Sequence, residues 1–268
     1  MRASVPRRGT LVGMAAPLVT VVDDGRVRRI TLASPDTRNA LSRDLLGELD
    51  VALRSAAASS ARVIVLDHVA PAFCSGLDLR EASGDSLDLG PLATVLESLL
   101  ATRQPVVAVV DGPVRAGGIG IMAACDIVVV TESVTFAFTE VKIGAVPAII
   151  SATVFRRVPA TRLARHYLTG GEMSAADARA LGLVDVVAAD ARAAGESLVS
   201  EMLAAGPRAL ETTTSLLRGA ARGDDMNVRV LQRLSESVFS SAEACEGMAA
   251  FLAKRPPSWR DAGRLRPD

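Results

Sequence analysis

The sequence is poor in lysine, aromatic rings, thiols and imidazoles, and it lacks a long apolar run. Only 3% of its 268 residues are aromatic, so a surface that stacks nucleic-acid bases, or a ring-lined sugar pocket, is hard to assemble from it. Thirty Lys plus Arg are matched by thirty Asp plus Glu, so no global positive field gathers phosphate backbones. Nucleic acid is thereby set aside as a partner. Three cysteines, Cys74, Cys125 and Cys245, show no CxxC spacing, and His68 and His166 stand alone. That pattern indicates neither a disulfide framework nor a metal site, and it makes the cytoplasm the expected compartment. The longest apolar runs, Val106 to Val110 and Ile127 to Val130, have strand length and fall far short of the roughly 18–20 residues that cross a bilayer. No membrane span is expected.

What is present suffices for one sizeable core, since 49% of the residues are hydrophobic and 22% charged. Leu18–Val22 and Val27–Leu32 are partly β-branched runs joined at Asp23-Asp24-Gly25, which predicts a hairpin. Helical spacing of Leu45, Leu46, Leu49 and Leu53 predicts a helix over 41–58 with Ser42 as its N-cap. Strands are predicted at Val63–Leu66, Val106–Val110 and Ile127–Val130, with helices at Leu92–Leu100 and up to Cys125 between them. This order implies a layered α/β fold with a sheet buried on both faces. After Pro147 the pattern turns helical, with one short strand at Val184–Val187 and helices broken at Gly206-Pro207 and Gly223-Asp224. The expected organisation is an extension over 1–16, a core over 17–205 and a helical region over 206–268. Arg2, Arg7 and Arg8 ahead of Leu11–Ala16 imitate a targeting peptide, but a flexible extension, or a true start at Met14, is the preferred reading. The Pro- and Arg-rich stretch from Pro256 to Asp268 is expected to be loose.

Two glycine-bearing loops each follow a strand and open onto a helix, a geometry that presents free backbone N–H groups to an anion. They are AFCSGLDL, 72–79, and DGPVRAGGIG, 111–120. Neither gives a dinucleotide fingerprint, and the sequence has no phosphate-binding GxxxxGK[ST] loop. Taken singly, each glycine group would serve a tight turn or close packing. No nucleophile elbow surrounds a Ser or Cys, so Cys74 and Cys125 read as core and His68 as a strand end.

Together with Asn39-Ala40-Leu41, FAFTEVKIGAVP (136–147) and AFLAKRPPSW (250–259), these loops resemble in order and spacing the signature segments of the enoyl-CoA hydratase/isomerase, or crotonase, family. The likeness runs from about Leu18 to Trp259. It implies an α/β fold, a spiral core of stacked ββα units followed by a helical C-terminal region that builds homotrimers or homohexamers. It also implies a coenzyme A thioester as substrate, carrying its own coenzyme so that no separate cofactor is needed. The thioester oxygen would sit between the amides of Leu77 and Gly117, donors that stabilise the charge of an enolate. Coenzyme A contacts would fall at Thr37, Arg38, Ser75, Phe251 and Lys254, the last two often reaching a neighbouring subunit. With Asp36 beside Arg38, the first of these segments is less basic than usual for the family.

The acid/base positions depart from the pattern. The resemblance places one of two glutamates at Glu140 and the other at Gly120, where no carboxylate exists. One carboxylate in an apolar pocket suffices to carry a proton from C2 to C4 of an enoyl chain, whereas hydration also needs a positioned water. Double-bond isomerisation is therefore favoured, with hydration proper and non-catalytic acyl-CoA binding as alternatives. Asp78, Glu81, Asp111 and Asp126 read as structural acids. Arg115 reads as a solvated cation, with an acyl carboxylate or phosphate as its other possible partner.

Overall fold

The β-branched runs form the strands, and their alternation sets the layers. The computed structural model describes residues 16–81 and 88–261. Strands β1 (Val19–Asp24) and β2 (Val27–Leu32) form an antiparallel hairpin around Gly25, whose φ of 59° only glycine adopts freely. The strand continues through both aspartates expected in the turn, because Asp23 and Arg28 face each other as an ion pair across the ladder. Helix α1 (Arg43–Ser55) starts at Ser42, whose hydroxyl accepts the Leu45 amide at 3.2 Å. Then come β3 (Val63–His68), α2 (Gly90–Ala101), β4 (Val106–Val110), β5 (Val114–Arg115), α3 (Gly117–Ala124), β6 (Ile127–Thr131) and β7 (Thr135–Ala137). A 3-10 turn at Thr139–Ile143 leads to α4 (Ala148–Val154), α5 (Ala160–Thr169), β8 (Met173–Ser174), α6 (Ala175–Leu181) and β9 (Val186–Ala188). Helices α7 (Ala191–Ala204), α8 (Pro207–Arg222), α9 (Val228–Phe239), α10 (Ala242–Leu252) and α11 (Ser258–Asp261) complete the chain.

The larger sheet runs β1-β2-β3-β4-β6-β9, parallel throughout except for the hairpin. Period-two alternation divides its side chains between two cores. Ile64, Leu66, Val106, Ala108, Val128 and Val130 pack toward α1, α2 and α3. Val63, Val65, Val107, Val109 and Val129 pack on Ala191 and Val199 of α7. Helices on both faces explain why these strands read as nearly unbroken apolar runs.

A smaller ladder pairs β5 with β7 and β7 with β8, and single bridges at Cys74–Val114 and Leu41–Leu77 extend it. Each circuit of the chain thus adds a strand to the large sheet, a short extended piece to the small ladder, and a helix. This is the spiral of ββα units that the resemblance implies. Strands β5, β7 and β8 are absent from the sequence reading because two or three paired residues leave no period to detect.

Helix α8 is tied to the core by Arg218, which pairs with Asp126 at 2.6 Å and donates to the carbonyls of Thr102 and Gln104. The Trp259 indole donates to the Ala204 carbonyl at 3.1 Å, so the stretch expected to be loose is anchored as far as α11. Of the expected extension, residues 1–15 lie outside the described residues, as do 262–268 of the tail. Among the described residues no helix is long and apolar enough to cross a membrane.

Candidate active site

The segment after β3 and the start of α3 meet in the small ladder, and their backbone pattern leaves two amides free. The Leu41 amide donates to the Gly76 carbonyl at 2.8 Å, and the Leu41 carbonyl accepts from Asp78 at 3.2 Å. Bonds of an extended segment alternate in direction, so the Leu77 amide between them points away from this ladder. Gly117 is the first residue of α3 and has no intrahelical acceptor. Among the described residues neither amide donates to a protein group. Ala116 holds the entry to α3 at φ 46° and ψ −119°, a conformation costly for a residue with a Cβ. Its own amide is fixed by the Ala137 carbonyl at 3.0 Å.

Asn39 supports this arrangement from below. Fully buried, it accepts the Ser34 amide at 2.7 Å and donates to the carbonyls of Val69 at 3.2 Å and Ala72 at 2.8 Å. One side chain thereby joins the turn after β2 to the loop leading to Leu77. Gly118 brings the second loop close, since a Cβ there would stand 2.5 Å from Cys74 Cβ and 2.8 Å from its Sγ.

Leu77, Gly117 and Glu140 line one cavity of about 150 Å³, with Ser75, Leu79, Leu92, Ile149 and Ile150 among the other lining residues. Glu140 is its only titratable group among the described residues. The 3-10 turn after β7 half-buries Glu140, and its Oε2 is buried without a hydrogen-bond partner. Burial pushes this carboxyl above the usual carboxylate range, against a smaller opposing pull from its own backbone N–H. Lys142 is exposed and makes no ion pair with it among the described residues. Behind the turn, the ring of Tyr167 packs on Phe138 at 4.4 Å and on Phe155 at 5.5 Å. Burial raises its phenol, the Ser151 hydroxyl at 3.3 Å opposes that rise, and the Glu140 charge adds to it.

The remaining residues singled out in the sequence divide by location. The Ser75 hydroxyl donates to the Thr37 carbonyl and its amide to the Arg38 carbonyl, both at 3.1 Å, so Thr37 and Arg38 adjoin a residue that lines the cavity without lining it themselves. Phe251 and Lys254, at the end of α10, are exposed and outside the cavity lining. Arg115 is half-buried rather than freely solvated, and it does not line the cavity. It donates to the carbonyls of Val114 and Thr135 and pairs with Glu172 at 2.8 Å, tying β5 to β7. Asp78 pairs with Arg80, Glu81 accepts the Arg43 amide at the start of α1, Asp111 faces His68 and Arg192, and Asp126 holds Arg218. None of these acids lines the cavity. Burial drives the thiols of Cys74 and Cys125 up to about 12, which suits packing rather than nucleophilic attack.

The sequence reading missed Asn39 as a tie, Ala116 as a strained hinge, and Ile150. Gly120 signals the last of these, because a helix glycine that faces a neighbour marks a close approach. A Cβ at Gly120 would stand 2.5 Å from Ile150 Cγ2.

Comparison with known proteins gives the arrangement its context. The family model for enoyl-CoA hydratase/isomerase matches residues 23–262. A Rhizobium meliloti (strain 1021) protein named "Probable enoyl-CoA hydratase" is 34% identical over 259 residues, covering 92% of this chain and 99% of its own. The crystal structure of an enoyl-CoA hydratase from Mycobacterium smegmatis superimposes with a TM-score of 0.83 at 28% identity, covering 91% of this chain and 100% of that one. Another, from Mycobacterium avium, gives a TM-score of 0.70 at 38% identity, with 91% and 99% covered. With the fold, the motif order and a match over nearly its whole length in agreement, the chain belongs to the enoyl-CoA hydratase/isomerase family.

Proposed function

We propose that this protein shifts the carbon–carbon double bond of an enoyl-CoA thioester, with Glu140 as its single acid and base. The observation that carries the reading is one lone carboxyl, raised by burial, in a cavity that also receives two free amides. In the reaction, the Glu140 carboxylate takes a proton from C2 of a 3-enoyl thioester. The C–H electron pair moves into a dienolate, and the developing charge on the thioester oxygen is met by the Leu77 and Gly117 amides. Each such donor contributes about 10²–10³ in rate. When the dienolate collapses, C4 takes the proton back from Glu140, the double bond lies between C2 and C3, and the carboxylate is regenerated. The aliphatic lining suits a hydrocarbon acyl chain and keeps the carboxyl desolvated.

Thr37, Arg38 and Ser75 would receive the coenzyme A portion at the cavity mouth. Phe251 and Lys254 would reach the same ligand from a neighbouring subunit of a homotrimer or homohexamer. Their exposure and their absence from this chain's cavity lining support that assignment. The ammonium of Lys254 suits a phosphate.

Hydration of a 2-enoyl thioester is the second reading, supported by the names of the relatives. The test offers 2-enoyl and 3-enoyl CoA thioesters in deuterated water to wild type and to Glu140→Gln, with products read by mass spectrometry. Expected are conversion of the 3-enoyl to the 2-enoyl ester, a loss of about 10²–10⁴ in kcat for the variant, and retained ester binding. A gain of one water on the 2-enoyl ester would instead establish hydration. Ligand-dependent thermal stabilisation with no turnover would establish a binding protein.

A further inference from the structure

Position 120 lies one helical turn beyond Gly117 on α3 and abuts α4. A Cβ there would stand 2.5 Å from Ile150 Cγ2, 2.7 Å from Ile150 Cβ and 3.3 Å from Ile150 Cα. Two of these atoms are the branch point and the backbone of Ile150, so turning its side chain does not relieve the overlap. The Thr153 hydroxyl closes the same seam, donating to the Gly120 carbonyl at 2.9 Å and to the Ile150 carbonyl at 3.0 Å. Ile150 is 1% exposed to solvent and lines the cavity that contains Glu140. Leu92 and Ile149 add to the apolar lining of the same cavity.

On the basis of the proton-transfer reading above, we propose that Ile150 is the specificity-determining residue of the site, filling with hydrocarbon the place from which a second acid would hold water. Hydration requires a water oxygen to bond C3 of the 2-enoyl thioester while the C2=C3 pair moves toward the thioester oxygen. One water proton must pass to a base, and C2 must then receive a proton. Glu140 can accept the first proton and return one to C2. The attacking water, however, then has a single protein partner, whereas a buried water typically needs about two to four. Isomerisation involves no water, so a wall of branched hydrocarbon leaves it unhindered. Gly120 and Ile150 act as a pair: the glycine admits α4, and the isoleucine occupies the space that the glycine leaves.

The experiment compares wild type, Ile150→Ala, Gly120→Glu and the double variant Gly120→Glu with Ile150→Gly. Each is assayed for melting temperature and for partition between hydrated and isomerised product in ¹⁸O-labelled water. Ile150→Ala opens room for a second water to partner the attacking one, and is expected to raise the ratio of hydration to isomerisation about tenfold or more. Gly120→Glu alone is expected to melt well below wild type, and the double variant to regain stability and to incorporate ¹⁸O faster than either parent. A folded Ile150→Ala enzyme with an unchanged ratio, or a Gly120→Glu protein as stable as wild type, would overturn the role of Ile150. A wild type that shows no Glu140-dependent isomerisation would instead overturn the underlying reading. A purely structural role for Ile150 would move the melting temperature and leave the product ratio where it was.

Discussion

In the proposed reaction Glu140 couples catalysis and stability through one proton. Its carboxyl is raised by burial, and its buried oxygen has no partner to stabilise the charge. As a general base it must be ionised, so the acid limb of kcat/KM should have its midpoint above the ordinary value of 4.5. The stability effect follows by linkage. A carboxyl raised in the folded state favours folding while it is protonated, below its unfolded pKa, and that contribution is lost as pH rises through the folded pKa. Glu140→Gln should therefore melt at a higher temperature than wild type near neutral pH, and the gap should close as pH falls through the raised folded-state value toward 4.5. Melting curves of both proteins across that range test this. A gap that stays constant with pH would mean that desolvation of the charge is not its origin.

Between elements, the site depends on two close approaches, one made by a glycine and one by an amide side chain. Gly118→Ala places a Cβ 2.5 Å from Cys74 Cβ and 3.3 Å from Val114 Cγ1, which should cost about 1–3 kcal/mol in stability. It should also push α3 away from the Leu77 loop, lowering kcat/KM with Glu140 intact. Cys74→Gly removes both clashing Cys74 atoms, so a double-mutant cycle should show recovery beyond additivity. Asn39→Ala leaves a buried amide, a buried carbonyl and a half-buried carbonyl without their partner and should cost about 2–4 kcal/mol by denaturant unfolding. The sequence shows these elements unevenly. Strands β3, β4 and β6 are legible because both faces are buried, and the cap at Ser42 because capping is local. Arg115 is misread because its partner, Glu172, lies far along the chain, in the loop before β8. Leu77, Gly117 and Glu140 are legible as motif positions alone, since no periodicity links three separate loops to one cavity. Gly120 marks a close approach to α3, but only the structure shows that Ile150 of α4 makes it, because nothing within one helix names its neighbour.

At the scale of the whole molecule, α9 and α10 leave large apolar side chains exposed among the described residues. Helix α9 buries none of its residues, although Val228, Val230, Leu234 and Phe239 are large and apolar, and α10 exposes Met248, Phe251 and Leu252. Such apolar surface on consecutive helices is what the proposed homo-oligomer would bury, at a gain of roughly 25 cal/mol per Å². The core side of this region is fixed by the Arg218–Asp126 pair, so the outer faces are the ones a second copy would cover in the proposed oligomer. Leu234→Glu should then convert the assembly to monomers in sedimentation, while the circular dichroism of the core persists. If Phe251 and Lys254 serve a neighbouring cavity, those monomers should show a raised KM for CoA thioesters with Glu140 chemistry intact at saturation. Lys254→Ala within the intact oligomer should raise KM in the same way with little change in kcat. A dissociated variant with wild-type KM would sever the link between assembly and coenzyme A binding, and a wild type that sediments as a monomer would remove the interface itself.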